Sequence, residues 1–88
     1  MTPQNINEIY AVIEVVEGNE KGIMGYKRPD FHGYCPLITR GNDEENKERM
    51  LKIARELIEE QRNNKIDISG MLVKFTNREV LSVFGGEI

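Results

Sequence analysis

Residues 41–61 read GNDEENKERMLKIARELIEEQ, and this stretch decides the fold class. Met50, Leu51, Ile53, Ala54, Leu57 and Ile58 recur at helical spacing and make one wide apolar face. Asn42 is a suitable N-cap. Glu45, three residues later, completes the spacing of a capping box, in which two side chains satisfy amide donors that a helix leaves unpaired at its start. Asp43, Glu44 and Glu45 put negative charge in the first turn, where the helix dipole favours it. Asn63-Asn64 closes the helix, since asparagine tolerates the left-handed backbone such ends use. Glu45/Arg49 and Glu48/Lys52 stand four apart in the favourable order on the polar face. Glu56, Glu59 and Glu60 place acid in the last turns, where the dipole disfavours it. They are read as a solvated face, with an acidic docking patch as the alternative.

Outside the helix the pattern alternates like strands. Glu8–Val16 is the first, with Ile9, Ala11, Ile13 and Val15 on one side and Tyr10, Val12, Glu14 and Val16 on the other. The cluster 18–22 is a turn into a second strand over 23–27, which Pro29 ends. Residues 30–36 read as an irregular loop and 37–39 as a short third strand. A connection at 67–70 leads to a fourth strand over 71–76. Glu79–Phe84 is either a fifth strand or a short helix capped by Thr76 and Glu79. The β-forming Val80, Leu81, Val83 and Phe84 favour the strand.

The expectation is therefore a small α+β domain of two layers. One long helix packs on a four- to five-stranded, mainly antiparallel sheet in the order β-β-β-α-β-β. Residues 1–88 form one domain, with 1–6 a flexible tail. The alternation places Tyr10, Val12, Val16, Leu72, Val80 and Phe84 on the sheet face away from the helix. That is more apolar surface than a solvated face should carry, and a homodimer or partner interface there is expected, with cover by sheet twist and the 23–40 segment as the alternative.

Composition narrows the function classes. The chain has 88 residues, 12 basic and 15 acidic, for a net charge of −3. That balance argues against general affinity for nucleic acid or anionic lipid. No apolar run approaches the ~20 residues of a bilayer span, and the start lacks the pattern of a secretory signal. The single cysteine, Cys35, excludes an internal disulfide. A cytoplasmic protein is the expectation.

Lys27, Arg28, Phe31, His32, Tyr34 and Arg40 form the most suggestive cluster. Rings interleaved with cations can stack on planar ligands while the cations hold phosphate. The competing reading is a structural loop whose aromatic rings fold back over the sheet edge. His32 and Cys35 supply only two ligands, so no metal site is expected, and no cofactor is implied. A Cys/His hydrolase would need His32 to lower the Cys35 pKa, with no third group in view to orient the pair.

Cys35-Pro36-Leu37-Ile38, the helix, and then Leu72-Val73-Lys74-Phe75-Thr76-Asn77-Arg78-Glu79 resemble small uncharacterised proteins encoded by bacteriophages. The resemblance covers about the last fifty residues. It implies a non-enzymatic interaction protein that binds a host protein and occludes one of its surfaces. The alternatives are a binder that sequesters a small anionic ligand such as a nucleotide, and the small hydrolase.

Overall fold

The alternating run Ile9–Val16 forms β1, the strand around which the molecule is built. The computed structural model describes residues 6–28, 30 and 33–85. Along the chain follow β2 (Asn19–Ile23), β3 (Gly25–Lys27), β4 (Tyr34–Pro36), β5 (Ile38–Arg40), α1 (Glu44–Asn63) and β6 (Ile68–Phe75). β6 pairs antiparallel with the whole of β1 on one side. On the other side β5 pairs with Ile9–Ala11 and β2 with Ile13–Val16. The helix lies across one face, so the chain is a two-layer α+β domain with an antiparallel sheet, as expected. Residues 1–5 of the expected N-terminal tail lie outside the described residues.

Among the described residues five strand segments precede the helix and one follows it, where three and two were expected. The cause is a junction between Val12, Met24 and Leu37. Their backbones close a triangle of hydrogen bonds: Met24 N to Val12 O at 2.8 Å, Leu37 N to Met24 O at 2.8 Å, and Val12 N to Leu37 O at 3.0 Å. All three side chains are buried. At this point the chain leaves β2 and β5 and pairs with itself instead, as the separate ribbon β3–β4 with Gly25 opposite Pro36 and Lys27 opposite Tyr34. Tyr34–Pro36, expected as loop, is thus a strand. The ribbon forms an arm that carries Tyr26 over the helix side, where it packs against the core.

The β1–β2 connection is tighter than expected. Glu17 (φ 51°) and Gly18 (φ 80°) make a two-residue turn with both central residues left-handed, and Asn19 already pairs with Val16. A bulge between Glu14 and Val15 then pairs Val15 with Glu20. Residues 68–70, expected as a connection, belong to β6. Their pairing with Glu14, Val15 and Val16 extends the strand backwards. Residues 76–85 are neither strand nor helix. Among the described residues no strand pairs with them, and Leu81 and Phe84 are almost fully exposed.

The helix is capped one residue later than its sequence suggests. Arg40–Asp43 is a turn closed by Asp43 N to Arg40 O at 3.2 Å, which leaves Asn42 inside the turn. Asp43 is the N-cap, and its Oδ1 accepts from Asn46 N at 3.0 Å. Asn46 Nδ2 donates to Thr39 Oγ1 at 2.9 Å, which ties the first turn to a buried hydroxyl on β5. At the other end Ile66 N donates to Gln61 O and Lys65 N to Arg62 O, the paired bonds of a Schellman close. The left-handed residue is Lys65 (φ 64°) rather than an asparagine. Arg62 Nε donates to Ile68 O at 2.9 Å and fixes where β6 begins.

The apolar face of the helix is as read: Met50 and Ala54 are buried, and Leu51, Ile53, Leu57 and Ile58 pack around the core. The sheet face that receives it is the reverse of the one expected. Val12 is 2% exposed and sits in the core with Met24, Leu37, Met50, Ala54 and Ile68, and Tyr10 and Val16 pack against that cluster. The Lys47 ammonium lies 5.1 Å from the Tyr10 ring centroid, above the same face. Gly70 shares this side, where an added Cβ would lie 2.8 Å from Ile58 Cδ1 and 3.3 Å from Val12 Cγ1. Its missing side chain lets the helix approach. Leu72 pairs with Val12 and belongs to the helix side as well, though 41% exposed. Of the six residues expected on the open side, Tyr10, Val12, Val16 and Leu72 therefore face the helix layer, and Val80 and Phe84 lie in the irregular tail.

The open side instead carries Ile9, Ala11, Ile13 and Val15 of β1, with Ile23, Ile38, Met71, Val73 and Phe75 opposite them on neighbouring strands. Ala11 and Ile13 are buried because β1 is flanked on both edges, while Ile23, Ile38, Met71 and Phe75 remain 38–46% exposed.

Candidate functional site

The arm and the second half of the helix enclose an open groove of about 790 Å³. Its position follows from the junction at Met24 and Leu37, which turns β3 and β4 away from the sheet and over the helix layer. Val16 and Ile68 from the sheet, Met24 and Pro36 from the arm and Leu57 from the helix give it an apolar lining. Tyr26 and Tyr34 stand on the arm side, and Tyr34 is 74% exposed. Glu14, Glu60 and Gln61 supply polar groups, and Lys27 is the cation at its edge. A neighbouring cleft of about 440 Å³ shares Tyr26, Lys27, Leu57 and Glu60 and adds Ile53 and Glu56.

The electrostatics of this surface are acidic. Among the described residues, three carboxylates, from Glu14, Glu56 and Glu60, face one ammonium across the two clefts. They sit beside the C-terminal half of α1, where the helix dipole adds negative potential. Such a surface repels phosphate and attracts a basic, apolar chain segment.

The basic-aromatic cluster read from the sequence is divided by the fold. Lys27 and Tyr34 line the groove. Arg28 is engaged with Asp30, its Nε donating to Oδ1 at 3.0 Å and its Nη2 to Oδ2 at 2.8 Å. Those hydrogen bonds hold the Asp30 carboxyl below its ordinary range and raise the Arg28 guanidinium further. Arg40 pairs with Ile9 on the open sheet face, away from the groove. Phe31 and His32 lie outside the described residues. Cys35 is half-buried on β4 opposite Tyr26. Among the described residues no three His, Cys, Asp or Glu side chains gather at metal-holding distance, and no helix is long and apolar enough to cross a membrane.

Leu57, Gln61, Ile66 and Glu14 join the groove without having been read as site residues. One signal did point there. Glu56 and Glu60 breach the dipole rule at the helix end, and both line these clefts. Compared with protein-family models, curated proteins and solved structures, the chain gives no significant match.

Proposed function

We propose that this chain is a non-enzymatic interaction protein that acts by occluding a surface of a host protein, as its resemblance to small bacteriophage proteins implies. The groove between the arm and α1 is its docking site. The partner segment it takes is extended or helical, with an apolar anchor seated between Tyr26, Tyr34 and Leu57 and a basic side chain set against Glu56 and Glu60. The observation that carries this reading is the make-up of the groove: two tyrosines over an apolar floor with a carboxylate rim, the residue types that dominate binding hot spots and steer a cationic partner. The acidic rim weighs against the nucleotide-binding alternative, because an anion would meet net repulsion there.

The test is capture from the host with two baits. Wild type should retain a partner whose own activity falls when the pure protein is added in equal amount. A Tyr26→Ala/Glu60→Lys bait should lose that partner, and raised salt should weaken the wild-type complex. A partner held equally by both baits would show that the groove is not the docking site.

A further inference from the structure

The open sheet face poses a problem that the groove does not solve. Nine apolar residues from four strands share it, and four of the large ones keep two-fifths or so of their surface in water. Its two ends are charged with opposite sign. At one end Arg40 pairs with Ile9, which is also opposite Phe75. At the other end Glu20 pairs with Val15, which is also opposite Ser69. Both charged residues are exposed, and both lie on the same side of β1, because β6 pairs with the whole of β1 along one edge and leaves the other edge to β5 at Ile9–Ala11 and β2 at Ile13–Val16.

This arrangement is self-complementary. A two-fold axis lying in the interface and perpendicular to β1 reverses the strand direction but keeps each flank over its own kind. Arg40 of one copy then falls over Glu20 of the other, twice, and the apolar rows between them meet. We propose that two copies of this chain pack face to face through this surface, with Arg40 of each copy set against the partner's Glu20. Sheets pack about 10 Å apart, a gap that an extended arginine and glutamate span together.

The area agrees with this once the tail is included. Eight residues of β1 by three strands make a patch of roughly 350 Å², short of the ~800 Å² per partner of a stable interface. Val80, Leu81, Val83 and Phe84 are 50–90% exposed and leave the sheet at its Phe75 end. In the two-fold arrangement that end lies against the partner's Ser69 and Val15. A buried aromatic covers ~150–250 Å², so Phe84 supplies part of the missing area and Val80, Leu81 and Val83 must be buried with it for the interface to reach the stable class. The pairing is closed and isologous, which stops it from continuing into a filament.

The proposal is tested by a charge-reversal cycle on full-length protein at Arg40 and Glu20, neither of which lines the groove. Molar mass is followed by light scattering over a dilution series, with circular dichroism to check the fold. Wild type should be a dimer at micromolar concentration. Arg40→Glu and Glu20→Arg should each raise the dimer dissociation constant at least about tenfold, since each places two like-charge pairs at the interface. The double variant Arg40→Glu/Glu20→Arg should return it close to the wild-type value. A wild-type monomer at about 100 µM would overturn the proposal and point to the tail covering its own sheet. A dimer whose constant the single reversals leave unchanged, or the double variant fails to restore, would overturn it too.

Discussion

Lys65 holds a backbone conformation that suits glycine, at φ 64° where the helix closes. A side chain there crowds the following carbonyl at a cost of roughly 1–2 kcal/mol, and the side chain is exposed with no burial to offset it. Lys65→Gly should therefore raise stability by about 1 kcal/mol after the added freedom of the unfolded chain is counted. A urea melt measures it, and a loss of stability would mean that the close is not as described. The helix start gives a second test at this scale. Asp43 accepts from Asn46 N, whereas Asn42 lies in the preceding turn. Asp43→Ala should cost ~1 kcal/mol and Asn42→Ala less than ~0.5 kcal/mol. The reverse order would restore Asn42 as the cap. Both ends show how a sequence rule finds the right neighbourhood and misses the residue: the cap is chosen by a hydrogen bond from Gly41 N to Glu8 O and by Asn46 reaching Thr39, neither of which is local.

The elements were unequally legible. The helix could be read because its apolar residues fall on one side only, and the core uses that side. Met50→Ala should accordingly cost ~2–5 kcal/mol, against less than ~0.5 kcal/mol for the exposed Glu48→Ala. Similar losses from the two would mean the helix is not packed as described. β1 was legible as a strand but not in its orientation. From Ile9 to Ile13 both faces are apolar, so alternation defines two faces without saying which one the helix covers. The deciding features are Gly70, which admits Ile58, and Thr39, which binds Asn46, and both depend on partners distant in sequence. The breaks at Met24 and Leu37 were not legible, because the triangle with Val12 exists only once three segments meet. The tail misled for the opposite reason. Val80 to Phe84 have the propensity of a strand but pair with no strand among the described residues. Of the groove, Lys27, Tyr34 and the misplaced helix-end acids were visible in the sequence. The sheet residues that floor it were not, since they join only through the fold.

At the scale of the whole molecule, the radius of gyration is 15.6 Å, against about 12 Å for a compact domain of this length. The arm pairs only with itself and the tail is exposed, so both stand outside the two packed layers. The proposed docking groove and dimer surface both rest on one claim: the helix covers the Val12 face and leaves the Ile13–Met71–Phe75 face open. Val12 is 2% exposed in the core, and Met71 is 41% exposed on the other side. Thermal and urea melts of Val12→Lys and Met71→Lys, followed by far-ultraviolet circular dichroism at low protein concentration where self-association contributes little, test that claim directly. Val12→Lys should lose its cooperative transition, because an unpaired ammonium would be buried among Met24, Leu37 and Met50. Met71→Lys should keep the native spectrum and a cooperative melt within ~1 kcal/mol of wild type. A folded Val12→Lys beside an unfolded Met71→Lys would contradict the account.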